Sequence, residues 1–305
     1  MNPEVSVLLP NYNHLAFLKE RLESILNQTY QDFELILLDD CSTDDSRTML
    51  ERYRNHPKVS AIQFNEQNSG SPFAQWRKGI ELAKGKWIWI AESDDVADKC
   101  FLESLMKAVG QHPSAGLAYS HLQWIDAQGN VMYSEEDEDR IVFYTGEEFA
   151  RKKLLYTTTI FNVSSAIFMK EVLLSVDWSL FDKMKMCGDY YLYTLLAKKT
   201  NVLEFCKVLD SYRQHENNTS GKQLSSIGWG IIEGMPILNG IVRDYHIPQS
   251  EYAIHYARLW AHGRYRFVVN INVAKEFFRG GHWLIVIYFV VVKMKMGMQC
   301  FKSNK

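Results

Sequence analysis

Apolar runs alternate with stretches of helical spacing along the first 125 or so residues. Val5–Leu9, Phe33–Leu38, Val59–Phe64 and Trp87–Ala91 read as strands, most of them continuous enough in apolar character to be buried on both faces. Between the first two, Phe17, Leu18, Leu22, Ile25 and Leu26 recur at the spacing of one helix face. Thr43-Asp44-Asp45-Ser46 opens a helix reaching about Tyr53. The turn-rich segment Asn65–Pro72 leads into a helix through Trp76, Ile80 and Leu82, which Gly85 closes. Leu102–Val109 adds a helix, Gly116–Trp124 a strand and Asp126–Asn130 a turn. This alternation predicts an α/β fold: a mostly parallel sheet with helices on both faces.

After Thr145 the pattern changes. Helical stretches surround an apolar piece at Ala166–Met169 and the segment Gly188–Ala197, and from about Gln223 the spacing is mainly helical. The expected division is a main domain over 1–220, in two parts (1–125 and 126–220), and a helical C-terminal extension over 221–305. The extension contains the apolar run Trp283–Val292, followed by Lys293, Lys295, Lys302 and Lys305. That run is shorter than the ~20 residues needed to span a bilayer. Its basic flank fits a helix lying in a membrane interface; the other reading is a helix packed on the protein body or on a second copy, a homodimer.

With 47% apolar residues among 305, a sizeable core is available, and a net charge of −2 gives no electrostatic case for nucleic acid. Cys41, Cys100, Cys187, Cys206 and Cys300 form no closely spaced pair, which points to reduced thiols in a cytoplasmic setting and away from a zinc site. A strand pattern begins almost at once, with no signal-peptide pattern before it. The acidic run Glu135–Asp139 reads as a solvated loop.

Candidate chemistry gathers where strands end. Glu92, Asp94 and Asp95 follow the fourth strand, and three carboxylates so close repel one another unless a cation lies among them. Open α/β sheets keep their ligands at this edge, and hard divalent cations take oxygen from such carboxylates and from phosphates. After the first strand, Tyr12 stacks on a base or packs on the first helix, and Asn11 or Asn13 caps that helix. Asp39 and Asp40 follow the second strand: one suits a cap, and the other is left to accept from a base or ribose. Asn68-Ser69-Gly70 leads into a helix whose first N–H groups favour an anion, with Arg77 and Lys78 further along.

The chain resembles the family-2 glycosyltransferases of GT-A fold. The resemblance is carried by Val5–Asn13, Ser24–Tyr30, Phe33–Asp44, Asn68–Gly70, Gly79–Gly85 and Glu92–Asp95, in that order. It is dense over about 120 residues, thins out to about residue 220 and does not reach the C-terminal helices. It implies that Pro10, Tyr12 and Asp40 hold the base, usually uracil, that Asn68 and Gly70 belong to the donor site, that Asp94 lies near the ribose, and that Asp95 ligates Mg²⁺ or Mn²⁺. Glu92 stands where many members have Asp, and Arg77 where they have Asn. Asp189 matches the catalytic base, with Gly188 replacing a common Glu, although the residue serves equally well as a helix cap. Tyr212–His215, followed by Asn218-Thr219-Ser220, resembles a segment near the diphosphate, which makes Arg213 a donor contact and His215 a metal ligand. The implied reaction is inverting transfer from a nucleotide diphosphate sugar, a UDP-sugar above others, to a hydroxyl of a glycan or lipid-linked glycan, as in surface polysaccharide synthesis. Asp189 would take the acceptor proton. Competing readings are a non-catalytic nucleotide-sugar or glycan-binding protein and a sugar nucleotidyltransferase. The latter needs a Gly-rich loop where Pro10–Asn13 stands.

Overall fold

The computed structural model describes residues 2–182, 184, 187–216, 218, 228–262, 273–275 and 277–303. Its strands are β1 (Val5–Asn11), β2 (Phe33–Asp39), β3 (Val59–Phe64), β4 (Trp87–Ile90), β5 (Val96–Ala97), β6 (Ala115–Ile125), β7 (Val131–Ser134), β8 (Ile141–Tyr144), β9 (Ala166–Met169) and β10 (Asn201–Arg213). They form one sheet in the order β3-β2-β1-β4-β9-β6-β10-β5, with β7 on β6 and β8 on β10. The first four strands are parallel neighbours. β9 then runs antiparallel between β4 and β6, and β10 returns parallel to β6. The sheet is thus parallel in its first half, as expected, and mixed in its second.

Because β1 and β2 are buried along their whole length, their hydrophobic pattern alone does not fix register. A polar pair does so instead. Ser6 and Glu34 are register partners, and the Ser6 hydroxyl donates to Glu34 at 2.6 Å while accepting from the Gly85 N–H at 2.8 Å.

The two faces of the sheet feed two cores. Val5, Val7, Leu9, Leu35, Leu37 and Trp89 pack against α1 (Leu15–Leu26) and α4 (Phe101–Gln111). Leu8, Ile36, Leu38, Ile88 and Ile90 pack on the other side, with α3 (Pro72–Leu82) and α7 (Gly188–Ala197). The shorter helices α2 (Ser46–Glu51), α5 (Gly146–Phe149) and α6 (Lys170–Leu174) sit between strands, as does a π-helical turn over Ala150–Leu154. The C-terminal α8 (Gly228–Asp244), α9 (Gln249–His262) and α10 (Trp283–Ser303) contribute Ile237, Ile241, Tyr252, Trp260 and Ile285 to this second core. The extension therefore shares its apolar interior with the sheet. The expected boundary at 220/221 and residues Thr219 and Ser220 lie outside the described residues.

β10 is absent from the sequence reading. Glu204, Asp210 and Arg213 interrupt its alternation, and all three are buried. Only tertiary partners make such a strand possible.

Candidate active site

Past Ala91, the chain turns through Glu92–Asp95 before β5. The two aspartates point to different partners. Asp95, 1% exposed, is enclosed by protein donors: Asn162 Nδ2 at 2.7 Å and Ser164 Oγ at 2.6 Å reach Oδ2, and the Arg213 N–H reaches Oδ1 at 3.0 Å. Asp94 turns towards two imidazoles. His215 Nε2 lies 2.9 Å from its Oδ2, and His14 Nδ1 lies 3.8 Å from its Oδ1. One donor atom from each of His14, Asp94 and His215 lies within 4.8 Å of the others. One carboxylate and two imidazoles so placed fit a divalent ion.

The loop after β1 sets His14 in place. Asn13 has φ +58°, a left-handed conformation that asparagine tolerates. Its N–H donates to Ser42 Oγ at 2.9 Å, and its Oδ1 accepts from the Thr43 N–H at 2.7 Å. On the other side of His14, the Leu15 N–H donates to Asp44 at 3.0 Å. From α1, Phe17 packs on the His215 ring, with centroids 4.7 Å apart, and lies under the Arg213 guanidinium at 5.0 Å.

Arg213, 2% exposed, is committed to the protein. Nε donates to the Asp94 carbonyl at 2.8 Å, Nη2 to Glu20 at 2.6 Å and Nη1 to the Asp126 carbonyl at 3.2 Å. Its guanidinium fastens the carboxylate turn to α1 and to the turn before β7. Each guanidinium nitrogen already donates to the protein, which leaves the second N–H of Nη2 for the diphosphate contact that the resemblance implies.

Negative charge exceeds positive charge around this turn. Burial and Asp94 push Glu92 up to about 8, against the opposing hydrogen bond from the Trp76 indole at 2.7 Å. Burial and Asp94 likewise push Asp95 up to about 7. Burial also raises the Asp94 carboxyl, but the His215 contact and nearby His14 hold it below the usual carboxylate range. Beneath the turn, Arg21 and Asp210 are fully buried 4.0 Å apart, with the Arg21 guanidinium 5.0 Å above the Trp89 ring. Burial and Asp95 push Asp210 well up.

Asp189 sits in the first turn of α7, where its Oδ1 accepts from the Tyr190 N–H at 2.7 Å. Burial raises its pKa to about 6. Tyr193, one turn on and fully buried, has its hydroxyl pKa raised by burial first and by Asp189 and Glu92 after it. Gly188 has a local reason. A Cβ there would lie 2.1 Å from Phe73 Cζ, so the Phe73 ring occupies the space that a side chain would need.

On the far side of β1, Tyr12 is 45% exposed and free to stack on a ligand, whereas Pro10 is buried within the strand. Asp40 is held by the loop that follows β3. Its carboxylate accepts from Asn65, Gln75 and the Ser69 N–H and hydroxyl at 2.7–2.9 Å, so it organises the 65–75 loop. Asn68 donates to the Asp40 carbonyl at 2.9 Å and accepts from the Gly70 N–H at 2.7 Å, and Gly70 takes φ +71°. Asp39 is held by Asn11, Ser42 and Arg47.

The family described as glycosyl transferase family 2 matches residues 6–176, more than half of the chain and every strand from β1 to β9. The chain belongs to this family. Among curated relatives, glycosyltransferase GlyG of Streptococcus pneumoniae is 33% identical over 158 residues, 50% of this chain and 48% of that protein. The chain spans about half the length of the curated relatives it matches. Among solved structures, Staphylococcus aureus TarS 1-349 with UDP-GlcNAc aligns at TM-score 0.70 and 17% identity, over 98% of this chain and 92% of that one. Mannosyltransferase PcManGT of Pyrobaculum calidifontis, solved with GDP-Man and Mn²⁺, aligns at 0.56 and 16%, over 96% and 88%. These likenesses show the GT-A architecture expected from the sequence.

In this family-2 chain the structure brings His215 to Asp94, whereas the resemblance implies Asp95 and His215 as the metal ligands and Asp94 near the ribose. His14 and Arg21 are additions. His14 carried a signal, a histidine directly after the Pro10–Asn13 loop. Arg21 carried another, a cation on the apolar face of α1 between Leu18 and Leu22.

Proposed function

We propose that the chain is a metal-dependent inverting glycosyltransferase that moves a sugar from a nucleotide diphosphate sugar to a hydroxyl of a glycan or lipid-linked glycan, in surface polysaccharide synthesis. The observation that carries this reading is the meeting of Asp94 with two imidazoles at the carboxyl edge of the sheet. A UDP-sugar is the first donor to test, since a neighbour in fold is solved with UDP-GlcNAc.

Tyr12 offers its exposed ring to the base. Asp94, with His14 and His215, would hold Mg²⁺ or Mn²⁺. Such an ion supplies charge compensation for the departing diphosphate. Asp95 and Arg213 keep Asp94 in position from behind. Asp189 removes the acceptor proton. Its pKa of about 6 leaves it ionised at neutral pH yet more basic than an ordinary aspartate. A single displacement inverts the anomeric carbon, with no covalent sugar–enzyme species.

The proposed setting is the cytoplasm, at the inner face of the cell membrane. Among the described residues, no helix is long and apolar enough to cross a membrane. Trp283, Ile287, Val290 and Val291 are exposed on α10, whose sequence continues into lysines. Vesicle flotation together with the mass in solution separates membrane contact from a homodimer through the same face.

The test of activity is a screen of UDP-, GDP- and dTDP-sugars with and without Mn²⁺, reading donor binding by calorimetry and nucleoside diphosphate release. Metal-dependent binding and release of UDP is the expected result. No metal-dependent binding of any donor would overturn the reading, and binding without release under every acceptor condition would turn it to a binding protein.

A further inference from the structure

We infer that His14 is a direct ligand of the metal ion at Asp94 and that it gives the site a preference for first-row transition ions over Mg²⁺. The inference rests on the reading of this cluster as a metal site and goes beyond it, in the number of nitrogen donors and in the choice of ion.

The geometry is that of a shared ion. Ligand atoms about 2.1 Å from one ion lie about 3.0 Å apart when adjacent and about 4.2 Å apart when opposite. His215 Nε2 lies 2.9 Å from Asp94 Oδ2 and His14 Nδ1 lies 3.8 Å from the other oxygen, Oδ1, so an ion held by both carboxylate oxygens would meet one imidazole beside each. The two rings stand edge to face at 89° with centroids 5.3 Å apart, so they approach the carboxylate from different directions.

His14 is also held as a ligand needs to be. Its neighbours in the chain, Asn13 and Leu15, are both hydrogen-bonded to the Ser42–Asp44 loop. Its Nδ1, the nitrogen that faces Asp94, lies 2.9 Å from the Ser93 hydroxyl, a contact that an ion bound at Nδ1 would replace. The side chain is 19% exposed, so a ligand can reach it. The loop around it is already fixed, and the Ser93 hydroxyl has to turn away before an ion binds.

Donor type then decides the ion. Mg²⁺ favours oxygen ligands and gives up water reluctantly, whereas imidazole suits the later divalent metals, with affinity rising from Mn²⁺ through Fe²⁺ to Co²⁺. A site with one carboxylate and one imidazole discriminates weakly. A second imidazole sharpens the difference.

The experiment uses the full chain with UDP and with Mn²⁺ or Mg²⁺ as probes. Bound Mn²⁺ is counted by loss of the free-ion paramagnetic signal, and its nitrogen ligands by pulsed electron-spin-echo modulation. The wild-type chain is expected to show two coordinated ¹⁴N nuclei and to bind Mn²⁺ at least about 10-fold more tightly than Mg²⁺. His14→Ala should lose one ¹⁴N coupling, bind Mn²⁺ about 10–100-fold more weakly and lose most of the preference over Mg²⁺. His14→Gln, which keeps a polar contact to Ser93 but has no imidazole, should behave like His14→Ala, and an unchanged melting temperature shows that either variant is folded. A His14→Ala chain with the wild-type ¹⁴N signal and Mn²⁺/Mg²⁺ ratio overturns the inference and leaves the metal site standing. A wild-type chain that takes up no Mn²⁺ with or without UDP overturns the metal site itself.

Discussion

His215 Nε2 and Asp94 Oδ2 lie 2.9 Å apart although 121 residues separate them in sequence. The contact joins the end of β10 to the end of β4 and selects which of two adjacent carboxylates faces the open edge of the sheet. Asp95, one residue on, turns inward to Asn162, Ser164 and the Arg213 backbone. This division of labour can be measured.

Asp94→Ala is expected to abolish Mn²⁺-dependent UDP binding with little change in melting temperature. Asp95→Ala leaves the buried donors of Asn162, Ser164 and Arg213 without an acceptor, so it should cost about 2 kcal/mol or more of stability. Paired calorimetric and denaturant titrations check this. Equal loss of stability in both variants would mean that the two carboxylates share one structural role.

Asp189, as the proposed base, is expected to set the acid limb of activity. Its pKa of about 6 means that kcat/KM should fall as pH drops through about 6, because the protonated carboxyl cannot accept the acceptor hydroxyl's proton. Asp189→Asn should remove transfer while leaving UDP binding intact. Normal turnover by that variant would remove Asp189 from the mechanism.

Glu204 predicts an acid-sensitive fold. Burial raises its pKa, but His121, Lys153 and Tyr144 outweigh that and lower it from 4.5 to about 2. These partners lie 3.2, 2.9 and 2.7 Å away. A depressed carboxyl contributes stability that is present above pH 4.5 and fades as pH falls towards about 2. His121 acts on the opposite limb. The Glu204 contact raises its pKa, so its contribution is full below 6.5 and is lost as pH rises through the raised value. Glu204→Gln should therefore lower the unfolding free energy read from urea titration by about 2 kcal/mol at pH 7, with Lys153 partly in solvent, and by much less at pH 3.

Phe73 and Gly188 should be energetically coupled. Gly188→Ala places a methyl 2.1 Å from the Phe73 ring and is expected to cost about 1–3 kcal/mol. In a Phe73→Ala background the same change should cost at least about 1 kcal/mol less, because the ring that blocks it is gone. A double-mutant cycle in urea gives the value, and strict additivity would mean that Phe73 is not the obstacle.

The sequence already contained most of the fold's first half. Strands β1 to β4 and their helices follow from local apolar runs, helical spacing and turn residues, because short parallel units declare themselves locally. β10 did not, since Glu204, Asp210 and Arg213 look like surface residues until β6, α1 and the π-helical turn supply their partners. The extension was legible as helical, but its burial against the second core was not, because a shared apolar interior is a property of packing.

The site divides along the same line. Sequence alone placed the carboxylates, His215 and the candidate base Asp189 at the strand and helix ends of a family-2 chain, since residue type and order along the chain carry that information. The direction in which each side chain points was decided only by the tertiary structure. Asp94 and Asp95 are adjacent and chemically identical, and Arg213, 118 residues beyond Asp95, reads as an ordinary cation. Which carboxylate is sealed by hydrogen bonds and which meets two imidazoles depends on Asn162, Ser164, His14 and His215, brought from separate segments by the sheet. A hydrogen bond is a distance in space, and no spacing along the chain encodes it.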